Sequence, residues 1–148
     1  VEKIDDHSGI VLTNGVFDIL HKGHIELLKF SKNQGDKLIV AIDSDERVRQ
    51  LKGEDRPINN EEDRRKVLET NRYVDSVVTF NSSEELKTLY ETLCPDVVVK
   101  GSEWTADELR ERDEIPDTIQ VKVYPLVGDY STTNTMEKIR NMGSCEKI

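Results

Sequence analysis

The sequence predicts an α/β fold, a doubly wound, mainly parallel five-stranded sheet with helices on both faces. Apolar runs of strand length alternate with helical patterns about five times at short spacing, the order that right-handed crossovers turn into a parallel sheet. Runs such as "LIVAI" and "VVVK" are continuously apolar, as strands covered on both faces are. Finally, the segments "NGVFDILHKGH", "KGSEW" and "GDYSTT" each come directly after a strand. In such a sheet they converge on the carboxyl edge, where ligands sit.

Each element has its own justification. Residues 1–9 are a polar lead-in, with His7 a solvated bystander. "GIVLTNG" is a short buried strand ending in a turn. From His24, the residues Ile25, Leu27, Leu28 and Phe30 recur at helical spacing until Gly35 stops the helix. "DKLIVAID" is the second strand, after which Ser44 caps "DERVRQL". "KGEDRPINN" is a loop broken by Gly53 and Pro57. Asn60 caps "EEDRRKVLETN", whose first turn carries three acids, as the helix dipole favours. "DSVVTF" is the third strand, and Ser82 with Glu85 forms a capping box for the next helix. "PDVVVKG" is the fourth strand, and "TADE" caps a short charged helix that Pro116 ends. "TIQVKVYPL" is the fifth strand, and Thr132 to Asn141 form the last helix, stopped near Gly143. One domain over residues 10–142 results, with a short tail at 143–148. The class is Rossmann-like.

Composition limits the partners. At 148 residues the chain is long enough for one ordinary core. Its net charge of -9 disfavours nucleic acid and anionic membrane surfaces, although a local site can still oppose the global field. No apolar run approaches a membrane span. Cys94 and Cys145 share no metal-type spacing and read as reduced thiols of a cytoplasmic protein.

The richest segment holds two of the three histidines, His21 and His24, with Gly23 between them. They fall where the first strand hands over to the first helix. The unsatisfied amides and partial positive charge of a helix N-terminus favour an anion. Glycines at 15 and 23 let backbone approach it closely. The same dipole disfavours imidazolium, so the pair would donate as neutral rings. Three readings stand side by side: a phosphate site, a metal site needing a third ligand such as Asp18, and histidines that only pack or cap. The spacing is not that of a P-loop.

"NGVFDILHKGH" resembles the H-x-G-H signature of the cytidylyltransferase-like nucleotidyltransferase superfamily, and "STTNTMEKI" resembles its second signature, which opens the final helix. The likeness runs in order through most of residues 10–141. Within the superfamily, "LTNGVFDILHKGH", "LKGEDRPIN" and "STTN" are most similar to the adenylyltransferase domains of ADP-heptose synthases. Glycerol-3-phosphate cytidylyltransferases are the rival, through "DRRK", "LETNRYVD" and the tryptophan of "GSEW". Those rivals carry an arginine shortly before the S-T-T segment, where this chain reads Leu126 to Tyr130 without one. No kinase-sized segment accompanies the domain, so the resemblance implies a stand-alone transferase.

The resemblance implies transfer of AMP from ATP to a sugar phosphate such as heptose 1-phosphate, with release of pyrophosphate. The polyol-phosphate cytidylyl reaction is the alternative, a non-catalytic nucleotide sensor is another, and a metal-dependent hydrolase is the outlying class. By match to the motifs, His21, His24 and Lys52 are the catalytic set. Asn14, Gly15, Val16, Phe17, Arg56, Lys100, Gly101, Glu103, Ser131, Thr132 and Thr133 join the histidines around the nucleotide. Trp104 is a candidate to stack on the base. Asp18, Asp45, Arg64 and Arg72 are assigned to the acceptor. For each of these four a turn, a helix start or a surface ion pair is the competing explanation. Mg²⁺ would be held mainly by phosphate oxygens and water, with no protein metal site. A homodimer is the implied assembly.

Overall fold

In the computed structural model, residues 9–125 and 131–142 are described. Residues 1–8 of the lead-in with His7, the arginine-less 126–130 stretch, Cys145 and the expected stop at Gly143 lie outside them. The elements are β1 (Ile10–Gly15), α1 (Lys22–Lys32), β2 (Lys37–Asp43), α2 (Asp45–Lys52), α3 (Glu61–Glu69), β3 (Ser76–Phe80), α4 (Ser83–Leu93), β4 (Val97–Gly101), α5 (Ala106–Arg112), β5 (Gln120–Tyr124) and α6 (Thr132–Arg140). The strand order is β3-β2-β1-β4-β5, and every pairing is parallel.

Strand periodicity sorts the core into two layers. Val11, Leu38, Val40, Ile42, Val97 and Val99 face one side and pack with Leu28 of α1 and Leu68 of α3. Leu12, Ile39, Ala41 and Val98 face the other and meet Leu86 and Tyr90 of α4 and Leu109 of α5. A strand whose alternate residues enter different layers must be apolar throughout, which explains the continuous runs. The chain winds outward from β1 to β3, then returns through α4 to place β4 on the other side of β1. The carboxyl ends of β1 and β4 therefore form the switch point, where a crevice opens.

Several local expectations need adjustment. Helix α1 begins earlier than its apolar periodicity, with His21 itself as N-cap. It ends at Lys32 with Asn33 as C-cap, so Gly35 is not the stop. Gly35 is needed because a side chain there would lie 2.2 Å from the Gly9 carbonyl, which accepts the amides of Asp36 and Lys37. Lys52 closes α2, with Gly53 at φ 102 as its C-cap, and so is not a loop residue. Ser82 caps α4 alone, because Glu85 reaches the Asn81 amide and closes no reciprocal box. Thr105 and Glu108 do form one.

Candidate functional site

The turn after β1 is built around a bent backbone. Phe17 and Ile19 both adopt left-handed conformations, at φ 55 and 52. That conformation is costly for a β-branched isoleucine, so tertiary contacts must hold it. Gly15 leaves room for the Phe17 ring to fold back, since a side chain there would lie 3.0 Å from the ring. The ring is buried and sits 5.3 Å from that of His24.

His21 and His24 form a capping box from two imidazoles. The His21 Nδ1 accepts the Gly23 amide at 3.0 Å, and the His24 Nδ1 accepts the His21 amide at 3.2 Å. An Nδ1 that accepts carries no proton, so in each neutral ring the proton sits on Nε2. The rings are 3.9 Å apart. Burial, with the neighbouring His21 adding to it, pushes His24 down to about 4 against an opposing pull from Asp18. Burial lowers His21 as well. Near neutral pH the pair is uncharged and presents two N–H donors at a helix N-terminus. The capping reading is thus realised through the Nδ1 edge of each ring. Among the described residues no group of three or more His, Cys, Asp or Glu is arranged to hold a metal ion.

Across the crevice stands the start of α6. Ser131 is its N-cap, accepting the Asn134 amide at 2.9 Å. The Thr132 hydroxyl closely contacts the Asp18 carbonyl, so it is spent within the protein. Thr133 Oγ1 accepts a 3.4 Å hydrogen bond from Arg56 Nη1. The Nε of Arg56 is buried without a partner among the described residues, a donor that an anion would satisfy. These groups line a cavity of about 560 Å³ together with Asn14, Gly15, Val16, Phe17, Asp18, Lys52 and Gly101. Lys22, Gly23, Glu26, Leu27, Tyr124 and Pro125 complete it. Sequence reading passed over Tyr124 and Pro125, although the strand-end rule that selected Gly101 applies equally to the end of β5. Lys22 and Glu26 carry no such signal, because helix-surface charges look alike wherever the surface faces.

Six expected contacts fall outside this cavity. Arg64 is buried under the turn, donating to the carbonyls of Asn59, Val16 and Asp43 and, at 2.8 Å, to the Asp45 carboxylate. Arg64 and Asp45 therefore satisfy each other and are not free for an acceptor. Arg72 is exposed beyond α3, stacked 5.6 Å over Tyr73. Lys100 is buried beneath the floor, bound to Asn14 Oδ1 and 3.2 Å from Asp113. Burial lowers its ammonium against the pull of Asp113, and its reach toward a ligand passes through Asn14. Glu103 is exposed outside the lining, and Trp104 lies under Arg112 at 4.6 Å, also off the cavity. Asp18 does line the cavity, but its carboxylate accepts the Ile58 amide at 2.6 Å and two donors of Asn59 at 3.1 and 3.0 Å.

A parallel α/β sheet with donors converging at its switch point defines a Rossmann-like domain equipped to receive an anionic ligand. The chain belongs to the cytidylyltransferase-like family, whose model matches residues 12–141. It is 45% identical over 130 residues to the bifunctional protein HldE of Koribacter versatilis, covering 87% of this chain and 26% of that protein. The HldE protein of Campylobacter fetus is 42% identical over 137 residues, 91% of this chain and 29% of the relative. The chain thus spans under a third of the curated relatives it matches. Among solved structures, the lipopolysaccharide core biosynthesis protein of Thermoplasma volcanium superposes with a TM-score of 0.66 at 32% identity, covering 84% of this chain and 99% of that one. Pantoate-beta-alanine ligase from Francisella tularensis, at 16% identity and TM-score 0.62 over 94% of this chain and 71% of its own, shares the fold. No helix among the described residues is long and apolar enough to cross a membrane.

Proposed function

We propose that this domain is a nucleotidyltransferase that moves AMP from ATP to a heptose 1-phosphate or a closely similar sugar phosphate, releasing pyrophosphate. The observation that carries the reading is the convergence of donors from two helix N-termini on one cavity. The imidazoles of α1 stand on one side, the start of α6 on the other, and Lys52 and Arg56 at the rim. Similarity to HldE proteins supports an adenylyl reaction on a heptose, and the solved relative's part in lipopolysaccharide core biosynthesis accords with a sugar acceptor.

The reaction is a single in-line displacement. An acceptor phosphate oxygen forms a bond to the α-phosphorus as the bond to the α,β-bridging oxygen breaks. Pyrophosphate leaves with that electron pair. No covalent enzyme intermediate is required, and the protein's work is to position the reactants and neutralise developing charge. Neutral Nε2–H groups of His21 and His24 donate to phosphate oxygens at no cost of deprotonation. Ser131, Thr133 and the first amides of α6 hold the far phosphates, and Lys52 with Arg56 closes over them.

Mg²⁺, when carried in on the nucleotide, supplies further charge neutralisation on the phosphates. The lining suits an ion held by phosphate and water, because the Asp18 carboxylate is already occupied by three donors and Glu26 is the other carboxylate there. The same resemblance extends the proposal to a homodimer, whose mass light scattering reads directly, and the isolated cysteines suit a cytoplasmic setting.

The test is a matrix of the four nucleoside triphosphates against heptose 1-phosphate, glycerol 3-phosphate and other phosphate acceptors, with pyrophosphate release measured in each. Release confined to ATP with heptose 1-phosphate is expected. Release only with CTP and glycerol 3-phosphate would replace this reading with the cytidylyl one. Silence throughout would favour a nucleotide sensor.

A further inference from the structure

We propose that Asp18 is a positioning residue that joins the two phosphate-facing walls of the cavity into one frame, and is not a ligand of the acceptor. The inference rests on the nucleotidyltransferase reading. Asp18 is 1% exposed although its neighbours line the cavity. Its two carboxylate oxygens take three N–H donors from Ile58 and Asn59, leaving little acceptor capacity for a substrate hydroxyl. On its other side the Asp18 carbonyl takes the Thr132 hydroxyl, which also lies 3.3 Å from the Ile19 carbonyl. One residue therefore ties down two segments that lie 40 and 114 positions away in sequence.

The placement matters for charge. An open carboxylate beside a triphosphate would repel it, whereas two backbone amides and the Asn59 side-chain amide spread that charge. The segment that Asp18 pins carries Arg56 two residues before Ile58, and Arg56 itself reaches Thr133. Arg64 holds the same segment from below through the Asn59 carbonyl at 2.9 Å. The turn is thus fixed between the loop and α6, with left-handed residues on either side of Asp18. Releasing Asp18 frees the rim cations from the α6 hydroxyls, although neither group is itself altered. A ligand held by one wall would then no longer organise the other.

The experiment compares the wild-type chain with Asp18→Asn and Thr132→Val, using Mg·ATP as probe, by amide hydrogen exchange and by steady-state kinetics with heptose 1-phosphate. In the wild type, ATP should protect residues 52–59 and 131–135 together. In Asp18→Asn, the KM for ATP should rise about tenfold, the loss expected for hydrogen bonds to a charged group, while the acceptor KM stays within about twofold. Protection at 131–135 should persist while protection at 52–59 is lost. Thr132→Val leaves the carboxylate in place and should uncouple the same two segments, so it carries the test if the aspartate variant does not fold. A selective rise in acceptor KM in Asp18→Asn would overturn the proposal in favour of a direct acceptor ligand. Unchanged ATP protection of 52–59 in both variants would overturn it also. A wild type that shows no ATP-dependent protection in either segment would overturn the functional reading, and the inference with it.

Discussion

The His24 ring accepts the backbone amide of His21 at 3.2 Å while the His21 ring accepts that of Gly23 at 3.0 Å, so the two imidazoles cap one helix and share one tautomer. Capping and chemistry are therefore carried by opposite edges of the same rings, and substitutions can separate them. His24→Gln places a normal capping-box residue at the third helical position and should keep the back-bond to His21. Its turnover should still fall about 10²–10³-fold, because a glutamine whose Oε1 takes that back-bond cannot place an N–H donor where the imidazole Nε2–H stands. His24→Ala loses the cap too, costing about 1 kcal/mol, or roughly 2–4 °C in Tm. Full turnover in the glutamine variant would remove this histidine from the chemistry.

The depressed His24 pKa predicts a particular pH response. In the folded protein His24 titrates at about 4, against 6.5 for an unperturbed ring. Between those values the unfolded chain binds a proton that the native state refuses, so stability falls as pH drops through that window and is fully present above it. Thermal unfolding from pH 7 to 4 should show a steeper loss in the wild type than in His24→Gln. Parallel curves would mean that the ring is protonated as easily folded as unfolded.

Arg64 is predicted to act on the fold. Arg64→Met strands the carbonyls of Val16, Asp43 and Asn59 and breaks the pair with Asp45, and should cost about 3 kcal/mol by denaturant unfolding. Asp45→Asn keeps an acceptor for the guanidinium and should cost about 1 kcal/mol. A stable Arg64→Met protein with only a raised acceptor KM would return Arg64 to the acceptor site.

Lys52 and Arg56 should behave in the opposite way. Both line the cavity rim, and Lys52 is exposed. Lys52→Met or Arg56→Gln should raise the ATP KM about tenfold with Tm unchanged. Arg56→Lys should not rescue, because the buried Nε donor has no counterpart in lysine. Wild-type ATP affinity in both variants would detach the rim from phosphate binding.

Much of this was legible in the chain. Ser44, Asn60, Ser82 and Thr105 all cap the helices they precede, because an N-cap is a local arrangement fixed within four residues. The continuous apolar strands reported two-sided burial for an equally direct reason. The His21–His24 pair, Gly15 to Phe17, Gly101 and Ser131 to Thr133 reached one cavity because the strand-end rule follows from topology alone.

What the sequence by itself determined, then, is the parallel α/β frame, the place of the crevice and the donor types that meet there. These depend on periodicity and on residues a few positions apart. Tertiary structure alone decided which charges face the crevice. Arg64 lies within α3 and Arg72 just beyond it, in similarly charged text, yet one is buried among carbonyls and the other is in solvent. Asp18 reads as an acceptor ligand, with a turn aspartate as the competing explanation, until Asn59 and Thr132 arrive from 41 and 114 residues away. The partner that takes up a polar side chain is set by packing between distant segments, and no local pattern encodes it.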